Sequence, residues 1–369
     1  MPITASLSND ARRLITLTTG SSAVSVTVTA SGSTLTFTPS DNSSAQQIQV
    51  PQGWSGISVG SNITLTISST LATGKALLGN GTAIVLAPLS GGDISSLALY
   101  GDITQLTAGQ NYTLTAAQAA TARIDNAGTL GNLSSTGTIT LLATLAGDLT
   151  GLTLDSGDTI VLTTGLDYTL TAAQALIARV GSTGKAGALT SSGAITVQAG
   201  TVTDLTAITT DSNDTLVLTA GTSYTLSSNQ VAIAKVGSTG TKADLTTAGT
   251  ILVKASATGD ANLYAMPGTG VDIIQLTAGQ AYTLTPAQVG ITRVGPTGNM
   301  GNLTSLGVIT IKADTAGADL SGISSDSNDV FLLGANLPYT LTSQQAAKAK
   351  VVSGSTQGAA GDLRSAGIV

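Results

Sequence analysis

A thirteen-residue phrase returns five times in this chain, and its period limits the possible architecture more than any other feature. YTLTAAQAATARI begins at Tyr112, YTLTAAQALIARV at Tyr168, YTLSSNQVAIAKV at Tyr224, YTLTPAQVGITRV at Tyr282 and YTLTSQQAAKAKV at Tyr339. The tyrosines stand 56, 56, 58 and 57 residues apart. Self-similarity at a fixed period of this size is the mark of stacked units, none of which can bury its apolar face alone.

Within the phrase, Tyr, Thr and Leu call for a strand, and then the pattern changes. Ser or Thr precedes Gln by three residues in every copy: Thr115/Gln118, Thr171/Gln174, Ser227/Gln230, Thr285/Gln288 and Thr342/Gln345. This is a capping box, in which the hydroxyl accepts from the third helical amide and the Gln reaches back to the capping residue's amide. Pro286 would damage a central strand, but it suits the first helical position, where its missing N–H would have had no partner. Each phrase therefore predicts a strand ending at a helix of about two turns. The basic residue closing it (Arg123, Arg179, Lys235, Arg293 or Lys350) is expected near the helix C-terminus, where a cation suits the dipole.

Other columns keep the same phase. NLSSTG, ALTSSG, DLTTAG, NLTSLG and DLRSAG follow the helices, and TITLLA, AITVQA, TILVKA and VITIKA follow the first four of these. GDLTGL, TDLTAI, GDANLY and ADLSGI come next, and a last strand, TIVL, TLVL, DIIQL or DVFLL, leads into the following tyrosine. Three strand passes share each period, which gives coils of roughly 19 residues. The expected fold class is all-β: an elongated parallel β-solenoid over residues 66–369 with about 57 residues per repeat, one short helix in each. At about 4.8 Å per coil it would form a rod of about 70 to 80 Å. Residues 1–65 differ: VSVTVTA and TLTFTP flank ASGS as a hairpin, and the only Trp, Trp54, lies here. We expect a small N-terminal β cap or docking domain that covers the first coil's strand edges. At the other end DLRSAGIV aligns with NLTSLGVIT, so the chain is expected to stop two residues into a strand that serves as a joining edge.

Composition excludes several function classes. The chain has no Cys and no His, which removes disulfides, thiolate sites, nucleophilic triads built on His and the commonest transition-metal ligand. Its net charge is −6 with only 14 Lys and Arg, against the basic stripe that nucleic acid requires. Short polar residues interrupt every apolar run, so no transmembrane segment is expected. MPITASLSNDARRLITLTTG lacks the basic and apolar regions of a cleavable leader. The chain is thus expected to stay inside, to have lost a leader, or to leave by a route that reads a C-terminal signal.

Acidic turns recur at Asp155/Asp158, Asp211/Asp214 and Asp326/Asp329. Paired carboxylates at such spacing suit Ca²⁺, a hard cation that takes six to eight oxygens, and these six residues are the candidate metal ligands. Asx-turns at the corners of a solenoid account for the same residues structurally. Acidic residues that recur with the repeat do not resemble a unique acid/base pair, so we expect no enzyme and no catalytic residue; a β-helical polysaccharide-degrading enzyme would need two carboxylates facing one groove. The tyrosine column is expected to pack along the wall with its hydroxyl at the surface, rather than to form a carbohydrate-stacking ladder.

The recurring LTAAQA segment, alternating with T-I-T-L strands and Gly-rich turns in a chain without Cys or His, resembles the repeat regions of large secreted bacterial surface proteins. These include S-layer proteins, extracellular filament proteins and adhesins exported by type I secretion. The resemblance covers roughly residues 70–369 and implies export, assembly on the cell surface and often Ca²⁺, although the GGxGxD nonapeptide of calcium-binding β-rolls is absent. The expected function is that of an extracellular structural subunit whose partner is itself, forming a surface layer or filament. The alternative is an adhesin stalk or phage-type fibre module presenting a glycan-binding tip.

Overall fold

The computed structural model describes all residues except 1–2, 9–12, 21, 98–102, 135–136, 191–192, 256–262, 265, 267–269, 305 and 315–316. Part of the GDANLY segment, including Asp260, lies outside the described residues. The chain forms two compact units, Met1–Gly193 and Ala194–Val369. Strands dominate in an all-β fold with no closed barrel, and every helix among the described residues is four to six residues long. None of these helices is long and apolar enough to cross a membrane.

In the first unit, the strands Val24–Ser31, Thr34–Pro39 and Gln46–Gln49 pair antiparallel around short turns. Alternation explains their faces: Val24, Val26, Val28, Leu35 and Phe37 are buried while the intervening Ser and Thr face outward. Val24–Ser31 then pairs parallel with Ile63–Ser68, which pairs with Thr82–Leu86, Ile103–Leu106 and Ala122–Ile124 in turn. The expected junction at 65/66 falls inside Ile63–Ser68, and this sheet runs through it.

Parallel pairing between successive, different segments of each period then takes over. Tyr112–Thr115 pairs with Ile139–Ala143, which pairs with Thr159–Leu162, which pairs with Ala178–Val180. The register stacks Leu114, Leu141, Ile160 and Ala178 into one column, all fully buried. In the second unit Leu226, Val253, Ile274 and Thr292 form an equivalent column, and Leu284, Ile311, Phe331 and Ala349 another. Buried like columns in successive ladders are what give the repeat its cohesion.

The structure corrects the sequence reading at one repeated place. The helices Ala116–Ala120, Ala172–Ile177, Ser228–Ile233 and Pro286–Gly290 carry no basic residue in their last turn. Arg123, Arg179, Lys235 and Arg293 sit instead in a further strand directly after each helix, and Lys350 likewise follows Ser343–Lys348. Alternation decides this: the residue before each cation is buried in the core column, so the cation must face outward. A tight turn then follows, and a Cβ at Gly184 would lie 2.3 Å from the Val180 carbonyl oxygen, so the chain needs Gly there for close approach.

Candidate functional site

All five phrases form the capping box expected of them. Thr115, Thr171, Ser227, Thr285 and Thr342 cap the helices through the Gln three residues on, and both reciprocal bonds are present each time. The Gln does more than the sequence discloses. With Oε1 accepting from the capping amide, the Gln174 Nε2 donates to Leu149 O at 2.7 Å and Leu152 O at 2.9 Å, 25 and 22 residues upstream. Gln118, Gln230 and Gln345 hold two upstream carbonyls in the same manner, and Gln288 holds that of Leu263. These Gln are buried, yet both ends of the amide are occupied.

The tyrosine hydroxyls are not at the surface, contrary to the expectation. Tyr168 is 2% exposed; its hydroxyl accepts from Thr163 N at 3.2 Å and donates to Ala143 O at 2.6 Å. Tyr112 and Tyr224 repeat the arrangement, and Tyr339 accepts from Gly334 N while donating to Ala313 O. A turn leaves backbone groups that no ladder satisfies, and burying them unpaired would cost more than ordering a phenol. Burial also pushes the Tyr339 phenol above its usual range.

The six candidate metal ligands fall into three equivalent turns. In the first, Asp158 is buried; its Oδ1 accepts from Ile139 N at 2.8 Å and its Oδ2 from Asp155 N at 2.7 Å. Asp214 binds Ile195 N and Asp211 N, and Asp329 binds Ile309 N and Asp326 N. The second carboxylate of each pair therefore ties its own turn to the start of a strand about 20 residues earlier. Asp272, which has no acidic partner to draw attention in the sequence, does the same for Ile251 N at 2.7 Å. Burial drives the carboxyls of Asp158 and Asp214 above the usual range, with the neighbouring Asp155 and Asp211 charges adding to it. Asp148, Asp244 and Asp319 behave in the opposite way: the hydroxyl and amide two residues on donate to each carboxylate and lower its pKa. Among the described residues, no group of three or more acidic side chains converges to hold an ion.

Two grooves open in the first unit. One, of about 470 Å³, runs between the helix Ala116–Ala120 and the turn carrying Leu145, which with Leu130 forms an exposed apolar rim. The other, of about 540 Å³, is lined by Asp93, Asn111 and several hydroxyls. Each holds a single carboxylate, Asp148 in the first and Asp93 in the second, so neither presents the pair that glycoside hydrolysis requires. No protein-family model matches the chain, no characterised protein matches its sequence, and no solved structure matches it.

Proposed function

We propose that the chain is an extracellular structural protein, built as an elongated parallel β-solenoid, that assembles with copies of itself into a cell-surface layer or filament. The observation that carries this reading is where the repeated polar side chains go. Tyr, Gln and the buried Asp of the acidic turns recur with the period, and each is spent on backbone groups of its own or an upstream turn. A repeat whose conspicuous polar residues all brace the backbone is suited to bearing load. The parallel ladders support the solenoid, since successive strands of each period stack in parallel register within each unit. Strand edges are the unpaired hydrogen-bonding groups through which subunits would join. Ca²⁺ would enter through the outward Asp155, Asp211 and Asp326, whose partner Asp in each pair is already engaged.

Negative-stain electron microscopy of the purified chain, with Ca²⁺ and again with chelator, tests the reading. Ordered sheets or filaments in either condition are expected, and their loss with chelator would assign the acidic turns to assembly. Isolated particles at high concentration in both conditions would sink the self-assembly claim. Small-angle scattering tests the solenoid separately, since a rod of about 70 to 80 Å is expected and a spherical scatterer would exclude it.

A further inference from the structure

The polar groove of the first unit is distinguished by what lines it. Gly92–Asp93 pairs parallel with Tyr112–Thr115, which pairs with Ile139–Ala143, so Asp93, Thr113 and Thr140 stand side by side across three strands. Tyr112, Leu114, Ile139 and Leu141 point into the core, which turns Thr113 and Thr140 outward. Ser90, Asn111 and Thr138 complete the rim. At Gly92, with φ of 131°, a Cβ would meet nothing within 4 Å, so the backbone itself is open to a ligand there.

Two of these groups are fixed in place. Asn111 Oδ1 accepts from Thr138 N at 2.6 Å, and Asp93 Oδ1 accepts from Ser95 N at 2.9 Å. That aims the Asn111 amide nitrogen and leaves the second Asp93 oxygen as an acceptor. Among the described residues no hydrogen bond engages the side-chain hydroxyls of Ser90, Thr113, Thr138 or Thr140. The repeat dictates only part of this set: Asp93 and Thr113 recur as Asp148 and Thr169 and as Asp319 and Thr340, while the rest varies. Where the first copy has Asn111, Thr138 and Thr140, later copies have Asp167, Ala194 and Thr196, then Ser223, Thr250 and Leu252, then Ala281, Val308 and Thr310.

We propose that this groove binds a neutral oligosaccharide lying across the strands. Hydroxyls that both donate and accept, one amide donor and one carboxylate acceptor match vicinal sugar hydroxyls. No Lys or Arg lines the groove, which disfavours phosphates and acidic sugars. No exposed aromatic ring offers a stacking platform, so affinity is weak. This goes beyond self-assembly and does not depend on it, because a monomer carries the whole groove.

Saturation-transfer NMR and titration calorimetry on the full chain test it, with cellotetraose, chitotetraose and maltotetraose as neutral probes and digalacturonate as the acidic one. At least one neutral tetrasaccharide is expected to bind saturably with a Kd of about 1 mM. Thr113→Val combined with Thr140→Val keeps the branched side chains while removing both hydroxyls, and should weaken binding at least about tenfold. Thr169→Val, at the position equivalent to Thr113 in the next copy, should leave it unchanged. The proposal is overturned if none of the three neutral probes binds at about 20 mM. It is overturned equally if the double variant binds as wild type does, if Thr169→Val abolishes binding, or if digalacturonate binds more tightly than every neutral probe.

Discussion

The hairpin strands between Val24 and Gln49 and the ladder between Tyr112 and Val180 lie in one compact unit, but they are held together by different means. Between Val24 and Gln49 no polar side chain is buried among the described residues; the core there is Val24, Val26, Val28, Leu35 and Phe37. Antiparallel strands joined by short turns satisfy their backbone locally, so the interior needs only shape and volume. In the ladder, Tyr112, Gln118, Asp158, Tyr168 and Gln174 are all buried and all bonded to main-chain groups. Parallel strands need a crossover connection before they pair again, and each intervening turn carries amides and carbonyls that no ladder reaches. Stability is thus spread over many apolar contacts in one region and concentrated in a few polar braces in the other.

The largest test of this contrast is a change that alters almost no volume. Gln118→Glu keeps the acceptor for Thr115 N but replaces the two bonds to Ile94 O and Leu97 O with a buried charge facing both carbonyls. We expect a loss of about 3–5 kcal/mol in denaturant unfolding. The volume-conserving Leu35→Met in the hairpin should cost under about 1.5 kcal/mol. Similar losses at the two sites would break the contrast.

Next comes Tyr168→Phe, which leaves Thr163 N without its partner and Ala143 O with the Thr163 hydroxyl alone, and should cost about 1–3 kcal/mol. Phe37→Tyr sharpens the comparison: it adds a hydroxyl where the interior offers no bracing role and should also destabilise. A neutral Tyr168→Phe would mean that the turn finds other partners.

The acidic turns predict a difference in sign with pH. The Asp158 carboxyl is raised by burial, so the folded state holds its proton more tightly than the unfolded state does. Its contribution is most favourable below the ordinary carboxyl value of 3.8 and is lost as pH rises from there through the raised value. The Asp148 carboxyl is lowered by the Thr150 donors, so its contribution is present above 3.8 and lost as pH falls below it. Relative to Asp158→Asn, the wild type should therefore lose stability as pH rises past 3.8. Relative to Asp148→Asn it should gain stability as pH rises toward 3.8. Equal slopes in chemical denaturation at pH 3 to 6 would refute the distinction between buried brace and exposed turn.

The smallest expected effect is a gain. Thr104 is fully buried between Val85 and Ala122, and its hydroxyl has no partner. Thr104→Val should stabilise the chain by about 1 kcal/mol, read as a rise in the denaturant midpoint. A loss would show that the hydroxyl is in use.

Much of the structure was legible because it depends on neighbours in sequence. The strands follow from alternation, and the five capping boxes follow from Ser or Thr three residues before Gln, an arrangement completed within one helical turn. The period itself announces that the same arrangement of strands recurs. What sequence reading missed lies far along the chain, 22 to 25 residues away for Gln174 and Tyr168. Nothing in YTLTAAQ says that the Gln174 nitrogen reaches Leu149 and Leu152, or that the Tyr168 hydroxyl turns inward to Ala143. Asp272 has no nearby acid to mark it, and Arg179 reads as a helix end because its pairing partner, Val161, lies 18 residues earlier. The sequence alone determined the strands headed by the tyrosines and those rich in Ile and Val, which residue caps each helix and which face of those strands is apolar, since local sterics and alternation settle these. Tertiary structure decided which backbone groups each turn leaves unsatisfied, and so where the buried polar side chains must point, because that depends on which segments the parallel register brings side by side.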